Sequence, residues 1–166
     1  MNLSSEQRER VNFFIHDEWV DESESRTESN LNELLDSVES PYEFDLMLRE
    51  FNWGCGIAGI DAVIKHPKTD PATKLRAFWM AGPGYFCRYE READIDEYEL
   101  SQWHAIKFLQ KYALSGLTQK SQIHFDPKND EEGYDWTMQF KTEELKLPKL
   151  GKQSFYQIPD ELYQAI

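Results

Sequence analysis

The sequence predicts an α+β fold, predominantly helical, in which a helical body carries a C-terminal antiparallel β-hairpin or small sheet. Apolar residues recur at helical spacing as far as Ala113, Gly116 then stands as a helix stop, and beyond it the apolar period shortens to two. A length of 166 residues suits a single domain, 1–166, with a helical part over 1–116 and a β-containing part over 117–166. With 40% hydrophobic residues, among them 10 Phe, 8 Tyr and 5 Trp, the chain can fill one core, which excludes wholesale disorder.

Taken in order, Val11, Phe14, Ile15 and Trp19 recur on one face of a helix expected from Ser5 to Val20. The stretch Asp21–Ser29 contains no apolar residue and is expected to be a solvated, mobile loop. Leu31, Leu34, Leu35 and Val38 follow helical spacing, with Asn30 as cap and Glu33 three residues on. Ser40-Pro41-Tyr42-Glu43 then combines an N-cap serine, a proline at the first helical position and a reciprocal carboxylate, and Phe44, Met47, Leu48 and Phe51 complete an apolar face. Gly54, Gly56 and Gly59 interrupt the pattern, which resumes through Ile60, Val63 and Ile64 until His66-Pro67 stops it. Asp70-Pro71 reopens a helix bearing Leu75, Phe78 and Trp79, and Gly82-Pro83-Gly84 ends it. A longer helix from about Asp96 to Ser115 presents Trp103, Ala105, Ile106, Leu109, Tyr112 and Ala113.

Past Gly116, Ile123 and Phe125 alternate with polar neighbours, and so do Tyr134, Trp136, Met138 and Phe140. The spacing predicts strands over Ile123–Phe125 and Tyr134–Phe140, joined by a turn-rich loop into a hairpin. Residues 145–158, interrupted by Pro148 and Gly151, could add an irregular or edge strand, and Pro159-Asp160-Glu161-Leu162 a final helical turn. Trp53, Phe78, Trp79, Trp103 and Ile106 are expected to be buried.

No catalytic or metal-binding constellation is apparent. His16, His66, His104 and His124 are dispersed, and no Cys-x-x-Cys or His-x-x-x-His pair fixes two ligands locally, so neither metal nor cofactor is expected. A nucleophile turn of the Gly-x-Ser-x-Gly kind is absent. Gly54-Cys55-Gly56 comes nearest to one, but a tight turn with a small apolar cysteine accounts for it. Read with Gly59, those glycines spell a dinucleotide fingerprint in letters only, because no strand precedes them. The carboxylates Glu90, Glu92, Asp94, Asp96, Glu97 and Glu99 lack the central glycine of a calcium loop and are read as helix-capping groups, open to a recognition role as well. The chain is therefore not expected to be an enzyme, although a site assembled from distant residues stays as an alternative.

Charge says more. Residues 1–50 carry 14 acidic and 4 basic side chains, whereas residues 51–120 carry 8 and 9, and residues 121–166 carry 9 and 5. The formal charge of −13 is thus concentrated at the N-terminal end. Such a surface repels phosphate backbones, so nucleic acid is excluded as a partner, and it attracts basic proteins. The N-terminal residues lack a secretory pattern, no apolar run approaches the roughly 20 residues of a membrane span, and Cys55 and Cys87 then read as free thiols. A cytoplasmic protein that touches no membrane is expected.

Asn52-Trp53, His66-Pro67, Asp70, Thr73, Leu75, Phe78-Trp79, Ala81, then Phe125-Asp126-Pro127 and Ile158-Pro159 with Leu162 together form a series. Over about residues 40–163 it resembles the bacterial domain-of-unknown-function family numbered four-two-seven-four. In that family a helix carrying Asn-Trp is followed by a His-Pro turn and an Asp-capped helix. This chain departs where acidic residues usually follow Asn-Trp, since Gly54-Cys55-Gly56 stands there. Members resemble genes found near polymorphic toxins, so the resemblance implies an immunity role. The expected function is an acidic protein-interaction module, an immunity protein that binds and neutralises a cognate, basic bacterial toxin through Asp21, Glu22, Glu24, Asp94, Asp96 and Glu97. A homo-oligomeric structural or regulatory protein is the alternative from a different class.

Overall fold

Capping chemistry written into the sequence starts three of the helices. Ser4 and Gln7 cap each other reciprocally at α1 (Ser5–Ile15), and Ser40 and Glu43 do so at α3 (Pro41–Glu50). At α5 (Pro71–Met80) the Asp70 carboxylate accepts the Ala72 N–H at 2.9 Å, with Pro71 at the first helical position. The computed structural model describes residues 3–53, 57, 59–138, 147 and 150–166. Within them, α2 (Glu24–Ser37), α4 (Ile60–Lys65) and α6 (Leu100–Gly116) complete the α-helices.

α5 is the centre of the molecule. Every residue from Pro71 to Trp79 is buried, with α6 packed along one side, α3 on another, and α1 laid over α3. Phe44, Met47, Leu48, Ile64, Leu75, Phe78, Phe86, Ile106 and Phe125 fill one continuous core. α5 ends where Gly82, at φ 71°, adopts the left-handed conformation that lets its N–H return to the Trp79 carbonyl, and Pro83–Arg88 follows as a 3-10 helix. Of the five side chains expected in the core, Phe78, Trp79, Trp103 and Ile106 are buried, whereas Trp53 is only half-buried.

Two expectations about the N-terminal helices need correcting. α1 stops at Ile15 instead of running to Val20, because the chain reverses through Asp17 at φ 55°. The reversal lets the Trp19 indole donate to the Phe14 carbonyl at 3.1 Å and stack on the Phe14 ring. The residues expected to form a loop over Asp21–Ser29 are helical from Glu24 onward. Their polar composition is held by side chains: Thr27 Oγ1 donates to the Asp21 carbonyl at 3.0 Å and accepts the Asp21 N–H at 2.8 Å. Asn30, expected as a cap, lies inside α2 and donates to the Trp19 carbonyl at 3.1 Å.

The expected α+β fold class is overturned. The described residues contain no strand, and the hairpin of Ile123–Phe125 with Tyr134–Phe140 does not form. Ile123 and Phe125 do alternate in burial with Gln122 and His124, but Phe125 exchanges both backbone hydrogen bonds with Ile166, at 3.0 Å each, so the chain end takes the place of the expected partner. In the second segment the alternation is inverted: Tyr134 and Met138 are exposed and Thr137 is buried. Side-chain carboxylates organise a turn there instead. Asp130 accepts the N–H groups of Glu132 and Tyr134 and the Trp136 indole, and Asp135 accepts the Thr137 N–H and hydroxyl. Gln139, Phe140 and residues 141–146, 148 and 149 lie outside the described residues, so the remainder of that strand and the start of the third one fall there. Residues 150–158 form no strand, and Asp160–Tyr163 is a 3-10 turn.

Candidate functional site

Both arginines of α1 are held by acidic residues of α3: Arg8 pairs with Glu50 at 2.9 Å, and Arg10 Nε donates to the buried Glu43 at 2.7 Å. Arg10 Nη2 stands 3.2 Å from Glu39, close enough for an ion pair yet not aligned as a hydrogen bond. The hydrogen bond to Glu43, against the cost of burial, holds this guanidinium more firmly protonated than usual. Glu6 and Glu9 are exposed and make no ion pair to any other described residue.

Those two carboxylates line a groove of about 580 Å³ between α1 and α2. Glu33 stands on its α2 wall, Phe13 and Leu34 supply apolar lining, and Arg10 and Asn30 complete it. Since Arg10 is engaged by Glu39 and Glu43, the groove presents three carboxylates around an apolar strip, and among the described residues lining it no other cation is present to balance them. These carboxylates are exposed to solvent, so their field attracts cations and is screened by salt.

The six residues expected to meet a partner fall in two places. Asp21, Glu22 and Glu24 are exposed at the turn and first residues of α2, the helix that forms one wall of the groove, but they do not line it. Asp94, Asp96 and Glu97 lie on the short 3-10 turns Glu92–Asp94 and Glu97–Glu99 ahead of α6, and none of them lines the groove either. Asp94 is bound by Arg91 at 2.6 Å, which keeps its carboxyl below the usual range, and Asp96 accepts the Tyr98 hydroxyl at 3.3 Å. Glu99, expected to cap, instead receives the hydroxyls of Tyr85 and Tyr89, which lower its carboxyl pKa. Sequence reading missed Glu6, Glu33 and Phe13 as site residues, because nothing in a helical period says that α1 and α2 will leave a gap between them.

A second polar cluster is structural. Asp45 of α3 and Arg76 of α5, both nearly inaccessible, pair at 3.0 Å, with the Thr73 hydroxyl on the same carboxylate at 3.2 Å. Burial pushes the Asp45 carboxyl up, and Arg76 partly offsets it. The guanidinium is covered on one face by the Phe125 ring at 4.4 Å, which leaves no open position beside it for a reacting group.

Among the described residues, no three His, Cys, Asp or Glu side chains gather as a metal site would need, and no helix is long and apolar enough to cross a membrane. His16 and His124 turn their Nδ1 atoms to carbonyl oxygens, and His66 packs on Phe44. Cys87 is buried, while Gly54, Cys55 and Gly56 lie outside the described residues.

Comparison with curated proteins and with solved structures finds no match for this chain. A family model does match, over residues 39–113, which takes in α3, α4, α5 and most of α6 but stops short of Phe125-Asp126-Pro127 and Ile158-Pro159. α1, α2 and the groove between them therefore lie ahead of the matched residues. Residues 39–113 are similar to the family described as Domain of unknown function (DUF4274).

Proposed function

We propose that this protein is an acidic protein-interaction module, an immunity protein that binds and neutralises a cognate bacterial toxin of basic character. The observation that carries the reading is the α1–α2 groove, where Glu6, Glu9 and Glu33 surround Phe13 and Leu34 and Arg10, the one cation among the described lining residues, is already engaged. An apolar strip rimmed by carboxylates suits a segment that pairs an apolar side chain with lysine or arginine. Asp21, Glu22 and Glu24 extend the same charge along α2, and Asp94, Asp96 and Glu97 contribute to the long-range field.

Co-expression with the product of the neighbouring gene, followed by pull-down and a growth assay, tests the proposal. Protection of the host and co-purification are the expected results. Charge reversal at Glu6, Glu9 and Glu33 should slow association more than it speeds dissociation, because rim charges govern encounter. A neighbour that is harmless, or protection that survives these reversals at both low and high salt, overturns the reading.

A further inference from the structure

The turn over residues 126–138 is held to the helical body with unusual firmness for an irregular segment. Arg49 of α3 pairs with Glu131 at 2.8 Å and Glu132 at 2.7 Å, and the buried Arg76 reaches Glu131 at 3.1 Å. Within the turn, Asp130 takes three donors and the Trp136 N–H bonds the Pro127 carbonyl at 2.9 Å. This lattice leaves Tyr134 and Met138 exposed, while Trp136 is half-buried and packs partly against the core. Tyr134 is 55% exposed and Met138 53%, and the Tyr134 ring packs edge-on against Trp136 with centroids 4.6 Å apart.

From this arrangement we infer that Tyr134, Trp136 and Met138 are the apolar anchor of the interface with a lysine- or arginine-bearing protein partner, an inference that rests on the reading of the chain as a binder of basic proteins. Two considerations choose that occupant. Tyrosine, tryptophan and methionine are the residue types that concentrate binding energy at interfaces, and a turn already immobilised by ion pairs loses little further freedom when it is covered. The turn and its clamp, residues 126–138 with Asp45, Arg49 and Arg76, hold six carboxylates against three cations, so the surroundings of the anchor carry an excess of three negative charges. A second copy of this acidic chain would be repelled there, whereas a lysine or arginine gains both the carboxylate field and a ring face.

The experiment uses the full chain and a fluorescein-labelled lysine–leucine amphipathic peptide, with its glutamate–leucine counterpart as control, read by anisotropy at low salt. Tyr134→Ala and Met138→Ala, both at exposed positions, should each weaken binding of the lysine peptide by about tenfold while thermal melts show each variant still folded. Tyr98→Ala removes a more exposed aromatic, 78% accessible, from the separate 3-10 turn Glu97–Glu99 and should leave binding intact. Lysine-peptide binding that survives Tyr134→Ala and Met138→Ala but fails on reversal of Glu6 and Glu9 overturns the anchor and leaves the acidic-binder reading standing. Equal losses in Tyr98→Ala overturn the anchor as well. Failure of the unmodified protein to bind the lysine peptide, or equal binding of the glutamate peptide, overturns both.

Discussion

Trp79 ties the central helix to the far end of the chain: its indole donates to the Leu162 carbonyl at 2.9 Å and its ring meets Tyr163 edge-on. At 2% exposure it is a core residue, so Trp79→Ala should cost about 3–5 kcal/mol. Urea denaturation measures this, and a loss below roughly 1 kcal/mol would mean that the ring is not packed. Asp130 shows a different kind of residue-scale control. Burial opposes its ionisation, but the Tyr134 N–H, the Trp136 indole and the Glu132 N–H outweigh that cost and hold the carboxyl below its ordinary value. A carboxyl depressed in the folded state contributes stability above its unfolded pKa of about 3.9 and loses it as the pH falls through the folded value. Urea midpoints should therefore decline below about pH 4 in the wild type. Asp130→Asn should lower the neutral-pH midpoint and flatten that decline; an unchanged slope would remove Asp130 from the account. The aspartate was legible in the sequence as a turn former, but its three donors were not, because two of them come from backbone positions that only the folded turn brings into reach.

At the scale of elements, the buried Asp45–Arg76 pair joins α3 to α5, and Arg76 reaches on to the exposed Glu131 of the 126–138 turn. Removing one partner leaves a desolvated charge, so Arg76→Met should cost about 3–5 kcal/mol near neutral pH. The sign of its pH dependence follows from Asp45, whose carboxyl burial already pushes up. A carboxyl raised in the folded state binds its proton more readily there, so the ionised form costs stability as the pH rises through that range. The deficit of Arg76→Met should accordingly shrink as the pH is lowered toward about 4, and a deficit equal at both pH values would contradict the assignment. Gly59 governs another junction. It sits at φ 79° ahead of α4, and a Cβ there would lie 3.0 Å from the Trp19 ring and 3.3 Å from Phe14. Gly59→Ala should destabilise by more than about 1 kcal/mol, from backbone strain plus crowding, and a neutral effect in thermal melts would show that the Trp19 turn can yield. The caps of α3 and α5 were readable because a capping group and its target are three or fewer residues apart. The end of α1 was not, because Trp19 continues the helical period while bonding back to Phe14.

Over the whole molecule, charge is distributed by pairing as well as by sequence position. Arg8 and Arg10 of α1 are paired with Glu50 and Glu43, while Glu6 and Glu9 line the groove beside α2 unpaired among the described residues. Reversal of Glu6, Glu9 and Glu33 should therefore depress the association rate of a basic partner strongly at low salt, where the Debye length is about 10 Å near 0.1 M, and much less toward 1 M, where it is about 3 Å. Stopped-flow binding across a salt series reads the difference directly, and a salt-independent effect would point to lost contacts rather than steering. The sequence by itself determined the helical body, the caps of α3 and α5 and the acidity of residues 1–50, since each follows from local periodicity, neighbouring residues or composition. Only the tertiary structure decided what became of the apolar alternation after Gly116. Alternate burial requires an extended segment with two unlike sides but does not name its partner, and Phe125 found the backbone of Ile166, more than forty residues away, while carboxylates drew Tyr134–Met138 into a turn. The groove was decided in the same way, because a gap between helices depends on how two separately legible faces meet, and no local pattern in either helix encodes that meeting.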